Sequence, residues 1–251
     1  MYSRWKLYKN WRLILLAVVL TGCGTSTTPV VKPTAAPIVT QTIIMQPESD
    51  ESLQPGQNVP TSGKIQDHCP EMIIVRLLNN LGELVSESNL QTRLEQQACI
   101  WETSLRNSLP DGTSGWIVAG LPSAAGNYLD ASDAVAVTSG SSPSGAFVTI
   151  TNPEPYQTIY SEKITISGRG AGLFENHLVV QLEDEQGAIL ATAPVILEAQ
   201  DMGGEGNWQI ELTIPKQAGK PGRIVASASS PKDGSLLTIF AVPVIYGSPI
   251  P

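Results

Sequence analysis

Cys23 is the residue of this chain whose chemistry the surrounding sequence defines most clearly. It follows an uncharged apolar run at 13–20, and the twelve residues before that run carry four cations and no acid. A basic flank and a short apolar core are typical of a secretory signal. The run is too short for a spanning helix, which needs roughly 20 apolar residues. We therefore predict that residues 1–22 are a signal peptide.

The cysteine stands where the signal would be cut. The residues before it, "LTGC" at 20–23, resemble the lipobox of bacterial lipoproteins. The resemblance implies that the Cys23 thiol receives a diacylglycerol and becomes the new N-terminus. Two or more acyl chains, at ~0.8 kcal/mol per buried methylene, hold a protein stably on a bilayer. This places the protein on the extracytoplasmic face of the bacterial cell membrane. An ordinary signal peptide or an uncleaved membrane stub is the alternative.

Cys69 and Cys99 remain as a pair once Cys23 is lipidated. Thiols outside the cell membrane can oxidise, so a disulfide is the favoured interpretation. The two cysteines are 30 residues apart. In the chain-entropy model, closing a loop of that length would add ~3–4 kcal/mol to the free energy of unfolding. The alternatives are two free buried thiols, or two metal ligands that lack partners.

Other reactive residue types do not form a catalytic or metal-binding pattern. The two histidines, His68 and His177, lie on either side of a Gly/Ser-rich segment, and no spacing adds a third zinc ligand. The serines include no Gly-x-Ser-x-Gly elbow. The acids at 182–187 predict a solvated turn, and Gly168, Gly170 and Gly172 predict a bend between strands. We predict no enzyme, no metal and no cofactor.

The charge balance restricts the partners. The formal net charge of −8 would fall to −12 when the four cations of the signal are removed. Such a protein does not bind nucleic acid or an anionic membrane surface electrostatically. The expected partners are the membrane, through the lipid at Cys23, and an unidentified protein or cell-wall component.

Composition divides the mature chain into four segments. Residues 23–66 are rich in Pro, Thr and Ser and are predicted to be a flexible tether. Residues 67–137 form a small region, 138–146 form a Gly/Ser linker, and 147–251 form a C-terminal domain.

The middle region has helical periodicity. Apolar residues recur at helical spacing in two runs: Ile74, Leu77, Leu78, Leu81 and Val85, then Leu90, Leu94, Ala98, Trp101, Leu105 and Leu109. The periodicity predicts a disulfide-tied antiparallel helix pair, followed by a strand at 115–121. Residues 67–137 would then be a small mixed α/β region.

A second interpretation of this region comes from its end. The sequences "LPDGTSGWIVAGL" and "NYLD", within 109–130, resemble the last strands of bacterial Src-homology-three-type domains. Such domains bind cell-wall peptides in an aromatic groove, and the resemblance implies a ligand platform of Trp101, Trp116 and Tyr128. The other interpretation of Trp116 and Tyr128 is that they are core residues.

The C-terminal region has the period of two that is typical of strands. In "NWQIELTI" at 207–214, apolar and polar residues alternate, which indicates a half-buried strand. Seven such runs are predicted, at 147–150, 163–168, 177–184, 188–193, 207–214, 222–229 and 236–246. Seven short strands favour an immunoglobulin-like β-sandwich, with Trp208, Phe174 and Phe240 as its bulky core residues. The predicted fold class is mainly β.

Several spaced motifs in this region resemble a known domain. They include Asn152-Pro153, the run from Ile164 to Gly168, Phe174-Glu175-Asn176, and Gly206-Asn207-Trp208. They resemble the immunoglobulin-like domain of bacterial spore germination proteins. The resemblance implies a sandwich at the cell surface and no reaction, and it implies no role in germination itself. Glu175 is the one charged residue singled out, and we predict that it caps an edge by bonding nearby amides.

Two functions follow as hypotheses. The first is a non-catalytic, lipid-anchored envelope protein whose sandwich is a binding or structural module. The second is a cell-wall-binding accessory or enzyme that uses residues 67–137. An aromatic groove would favour the second hypothesis.

Overall fold

Two β-sandwiches follow one another along the chain. They are seen in a computed structural model that describes residues 40–95, 98–124, 126–141, 145–214 and 219–247. The predicted signal peptide, Cys23 and the tether up to residue 39 lie outside the described residues. Among the described residues, no helix is long and apolar enough to cross a bilayer.

The N-terminal sandwich contains nine strands. They are β1 (Gln41–Gln46), β2 (Glu51–Leu53), β3 (Asn58–Gln66), β4 (Met72–Leu78), β5 (Leu84–Gln91), β6 (Arg93–Glu95), β7 (Ala98–Arg106), β8 (Thr113–Pro122) and β9 (Leu129–Ser139). One sheet has the order β1-β3-β7-β6 and the other β2-β9-β8-β4-β5. Apolar residues of both sheets meet in a core that contains Ile73, Leu77, Trp101 and Ile117.

The C-terminal sandwich also contains nine strands and one 3-10 turn. They are β10 (Phe147–Asn152), β11 (Thr158–Ile159), β12 (Lys163–Ala171), the turn Phe174–Asn176, β13 (His177–Asp184), β14 (Ile189–Ile196), β15 (Glu198–Ala199), β16 (Gly206–Thr213), β17 (Lys220–Ser229) and β18 (Leu236–Tyr246). The sheets have the orders β10-β12-β16-β15 and β11-β18-β17-β13-β14. Ile166, Val180, Trp208 and Val242 lie in the core between them.

The two sandwiches have the same topology. Replacing β1–β9 by β10–β18 in sequence order turns one pair of sheets into the other. In both sandwiches, a buried tryptophan on the third strand in the order of the smaller sheet packs against a glycine: Trp101 on β7 and Trp208 on β16. A Cβ atom added to Gly63 or to Gly168 would collide with that ring. Residues 40–247, as far as they are described, therefore form a tandem pair of one sandwich type.

The helical interpretation of residues 67–137 is wrong. The run at 74–85 is divided between β4 and β5, and the run at 90–109 is divided mainly between β6 and β7. The periodicity misled because β4 is buried on both sides: its inner residues enter the N-terminal core, while Leu78 packs against the C-terminal sandwich. Such a strand loses its alternation of apolar and polar residues. The predicted strand at 115–121 lies within β8.

The tether prediction is wrong for the described residues 40–66, which form β1, β2 and β3. Its prolines misled because they occupy positions that strands tolerate: Pro60 is exposed in β3, and Pro55 lies in the turn before it. The first sandwich therefore begins well before residue 67.

Two other predictions are confirmed. Cys69 and Cys99 form a disulfide with a Cα–Cα distance of 5.3 Å, which ties the loop after β3 to β7. All seven predicted C-terminal strands are present, and β13 and β18 have the predicted bounds. The short strands β11 and β15 raise the count to nine.

Candidate functional site

The residue types suited to catalysis are either dispersed or engaged in structure. Within the described ranges, no three His, Cys, Asp or Glu side chains form a group that could hold a metal ion. In the acidic run, Glu183 is buried and pairs with Arg223 at 2.6 Å. Asp184 accepts bonds from the amides of Gln186 and Ala188 and so closes the turn before β14. These acids stabilise the fold locally.

The predicted ligand platform does not form one surface. Trp101 is 2% exposed and lies in the N-terminal core, whereas Trp116 is 3% exposed and packs with the C-terminal cluster. Tyr128 is half-buried and packs edge-on against Tyr156, with ring centroids 5.5 Å apart. The rings fill separate packing positions because Trp101 points into the core between the two sheets, whereas Trp116 and Tyr128 pack toward the C-terminal sandwich. The arrangement does not support a groove of the Src-homology-three type.

A buried arginine forms a hydrogen-bonded contact where the two sandwiches meet. Arg76 of β4 is buried, and its guanidinium pairs with Glu87 at 2.8 Å. The same group donates to the carbonyl of Asn127 and to the Tyr156 hydroxyl, and it lies over the Tyr156 ring. Burial alone would lower the pKa of Arg76, but its bonds to Glu87 and Tyr156 raise it overall. A buried cation is thus paired with a carboxylate and bonded to two further oxygens at the junction.

A turn of the first sandwich supplies the second contact across the junction. The Asn80 carbonyl accepts a bond from the Ala241 amide at 2.7 Å, and the Asn80 amide group donates to the Ile239 carbonyl at 3.0 Å. These bonds satisfy backbone groups on the side of β18 that β11 covers only at Ile245 and Tyr246. Nearby, burial and the charge of Glu185 raise the pKa of Tyr128 to about 12, so its hydroxyl stays protonated at neutral pH.

A cleft of about 330 Å³ also lies along the junction. Its lining includes Trp116, Phe147, Phe240, Asp50 and Arg169. The Trp116 indole N–H has no acceptor among the described residues, and Arg169 is already paired with Glu205. The volume is at the lower end for ligand pockets. The cleft is mostly a gap left by the docking of two sandwiches.

The C-terminal sandwich carries an ordered loop at the end of β12. Leu173 is buried and anchors the loop, while Glu175 and Asn176 have positive φ values of 50° and 58°. The Asn176 carbonyl accepts a bond from the Leu197 amide at 2.8 Å, and its side-chain oxygen accepts one from Gly203 at 2.8 Å. The loop is thus bonded to two other segments.

Exposed apolar side chains surround this loop, and we name them the apical patch. Its members are Phe174, Val179, Ile196 and Met202, exposed by 51, 39, 62 and 77%. Ile196 of β14 is the cross-strand partner of His177 of β13. Val179 follows His177 by two residues, so the two side chains share one face of β13. Met202 belongs to the segment that Asn176 bonds, between Asp201 and Gly203.

The prediction that Phe174 is a core residue is wrong, because Leu173 takes the buried position and the left-handed residues after Phe174 turn the chain. Trp208 and Phe240 are buried as predicted. Glu175 does not cap amides in any described hydrogen bond; its carboxylate lies 3.8 Å from His177. The sequence shows the Phe-Glu-Asn motif but not which way its ring points.

One comparison with known proteins concerns the second sandwich. Residues 147–235 match the model of the immunoglobulin-like domain of bacterial spore germination. This immunoglobulin-like match covers most of the C-terminal sandwich, and domains of this type are typically non-catalytic. No match to a curated protein was found.

A solved structure of two tandem V-type regions is similar at low level. The protein is VCBP3, described as a v-region-containing chitin binding protein. The sequence identity is 13% and the TM-score 0.40, over 82% of this chain and 99% of that chain.

Proposed function

We propose that this protein is a lipid-anchored component of the bacterial cell envelope that binds another envelope component without catalysing a reaction. The acyl chains at Cys23 would hold it at the extracytoplasmic face of the cell membrane. The two sandwiches would then present their outer surfaces to a protein or cell-wall partner. The single observation that carries the binding role is the immunoglobulin-like match of residues 147–235.

The architecture supports a binding body rather than two loosely linked modules. The Arg76 and Asn80 hydrogen bonds join the sandwiches, and one buried apolar cluster contains Leu78, Trp116 and Phe240 from both. A partner that touches both sandwiches would meet a surface that is already arranged, which lowers the entropic cost of binding.

The compartment is supported by the sequence before residue 24 and by the disulfide. A lipobox-like "LTGC" and an apolar core precede the sandwiches, and the Cys69–Cys99 bond is of the kind that persists outside the cytoplasm. The alternative of a cell-wall accessory using residues 67–137 loses its support, because Trp101 and Trp116 are buried.

Lipidation can be tested by metabolic labelling with an alkyne fatty acid. The wild-type protein should become labelled and partition into a detergent phase, whereas Cys23→Ala should remain unlabelled. The double variant Cys69→Ser/Cys99→Ser is the matched control, because it removes two cysteines and should still be labelled. Intact-mass detection of an unprocessed Met1 form in the cytosol would contradict the proposal.

A further inference from the structure

We propose that the apical patch is the docking surface for a protein partner with an apolar pocket bordered by lysine or arginine side chains. The inference rests on the proposed binding function and names the surface that would perform it. Four observations support it: the exposure of the apolar side chains, the fixed loop, the contrast with the first sandwich, and the charges around the patch.

The backbone on either side of Phe174 is anchored. Leu173, the residue before it, is buried, and the carbonyl and side-chain oxygens of Asn176, after it, accept bonds from the amides of Leu197 and Gly203. An aromatic side chain on a loop that is already ordered loses little conformational freedom on binding. Buried aromatic anchors carry much of the free energy of protein interfaces. Phe174 therefore has the position expected of an anchor.

The segments that carry these apolar side chains lie side by side. Ile196 and Val179 are diagonal neighbours on the outer face of the β13–β14 pair. The turn that contains Phe174 is joined to the segment that contains Met202 by the bonds of Asn176 to Asp201 and Gly203. Scattered exposed apolar residues need no explanation, but contiguous ones at a fixed loop mark interaction surfaces.

The equivalent loop of the first sandwich lacks this presentation. Between β3 and β4 it contains the half-buried Cys69, which the disulfide ties to Cys99, and it carries no Phe, Tyr or Trp. The fold therefore does not require an exposed ring here. Phe174 is specific to the second copy.

The acidic side chains around the patch indicate the charge of the partner surface that would bind there. Exposed acids border it at Glu175, Glu198 and Asp201, and His177 lies 3.8 Å from the Glu175 carboxylate. Arg169, which lines the same recess as Glu198, is already paired with Glu205. Like charges oppose a second copy of this chain and an anionic lipid surface. A pocket with cationic side chains at its rim is complementary in both apolarity and charge.

Photo-crosslinking in cells that make the protein natively tests the location. A benzophenone amino acid at position 174 should give an adduct with one defined protein. The same probe at Ile189 is the matched control, because Ile189 is 56% exposed and begins the strand that Ile196 ends. Ile189 and Ile196, at opposite ends of β14, are about 23 Å apart at ~3.3 Å per residue.

The partner identified by crosslinking is then purified and titrated against this protein in solution. The affinities of variants test whether apolar contacts and charge carry the binding. Phe174→Ser should weaken binding at least tenfold and Ile196→Ser several-fold, whereas Ile189→Ser should change it less than twofold. Raising the salt concentration should weaken binding by the wild-type chain, because the rim charges are exposed. Thermal unfolding should show that the three serine variants remain folded.

The outcomes separate the patch from the general function. Adducts at position 189 but not 174 would overturn the patch and leave a binding protein. Adducts of position 174 with lipid or with a second copy would overturn the stated occupant. The absence of adducts at both positions would count against the docking surface, and a cytosolic location of the protein would contradict the proposed function as well.

Discussion

The two sandwiches share a topology but hold it together by different means. In both, an asparagine or aspartate side chain closes the turn after the fourth strand. Asn79 accepts bonds from the amides of Leu81 and Glu83. Asp184 accepts bonds from the amides of Gln186 and Ala188. The residue that begins the crossover to the larger sheet has a left-handed backbone in each, with φ of 64° at Asp50 and 65° at Tyr156. These features are properties of the fold.

The differences lie in the loop between the third and fourth strands. The first sandwich fixes it covalently through Cys69–Cys99, whereas the second fixes it through hydrogen bonds of Asn176. The disulfide constrains the first loop without side-chain hydrogen bonds, but its half-buried cysteine occupies part of that loop. The hydrogen-bonded loop leaves Phe174 exposed. The two sandwiches therefore anchor the same loop in different ways, and only the second leaves an aromatic side chain exposed there.

The largest effect should come from the buried tryptophans that both copies share. Trp101→Ala and Trp208→Ala should each lower the free energy of unfolding by about 3–5 kcal/mol, as for other large-to-small core changes. Trp→Phe sharpens the comparison. The Trp208 indole donates to the Arg169 carbonyl at 3.2 Å, and the Trp101 indole has no acceptor in the described part of the chain. In urea unfolding followed by circular dichroism, Trp208→Phe should therefore cost about 1 kcal/mol more; a larger cost for Trp101→Phe would contradict this.

The disulfide should stabilise one sandwich only. Cys69→Ser/Cys99→Ser opens a loop with a sequence separation of 30 residues and should cost the first sandwich about 3–4 kcal/mol. Amide hydrogen exchange can measure each sandwich separately. We expect protection to fall in β3 and β7 and to persist in β12 and β16. Equal losses in both sandwiches would show that the copies unfold as one unit.

The junction should contribute less than either core. Arg76→Met removes a buried guanidinium and leaves Glu87, the Asn127 carbonyl and the Tyr156 hydroxyl without their donor. Loss of one partner from a buried polar network should cost about 2–3 kcal/mol. Arg93→Met is the matched control, because Arg93 and Glu95 form an exposed pair worth less than about 1 kcal/mol. If the two variants melt alike, the junction is not an energetic link.

Sequence reasoning succeeded where strands are half-exposed. The alternation of Trp208, Ile210 and Leu212 with polar residues predicted β16 because one of its faces meets water. It failed where burial changes the pattern. β4 is covered on both faces, and β3 places the polar Thr61 and the small Gly63 at inward positions beside Val59, so neither strand shows a simple alternation of apolar and polar residues.

A repeated spacing could have revealed the first sandwich. Ser62-Gly63 precedes Trp101 as Ser167-Gly168 precedes Trp208, with 38 and 40 residues from glycine to tryptophan. The glycine is needed because the indole lies against its backbone, so the pair has a physical reason to recur. The junction and the apical patch have no such signal. They depend on contacts between distant segments and on which way one loop turns.

The smallest effect should come from a charge pair across the junction. Burial and then the charge of Asp133, which accepts a bond from the Ile44 amide, raise the pKa of Glu154. Because the folded-state pKa is above the unfolded value of about 4.3, ionisation of Glu154 destabilises the fold as pH rises through the folded value. Glu154→Gln should therefore raise the melting temperature at pH 7 and leave it unchanged near pH 3. The gain should be below about 0.5 kcal/mol and should shrink in salt, because the carboxylate reaches solvent. Glu162→Gln, which removes an exposed acid from the turn before β12, controls for net charge. A gain that is equally large in both variants would show that overall charge acts, and that the like-charge contact between the two sandwiches does not.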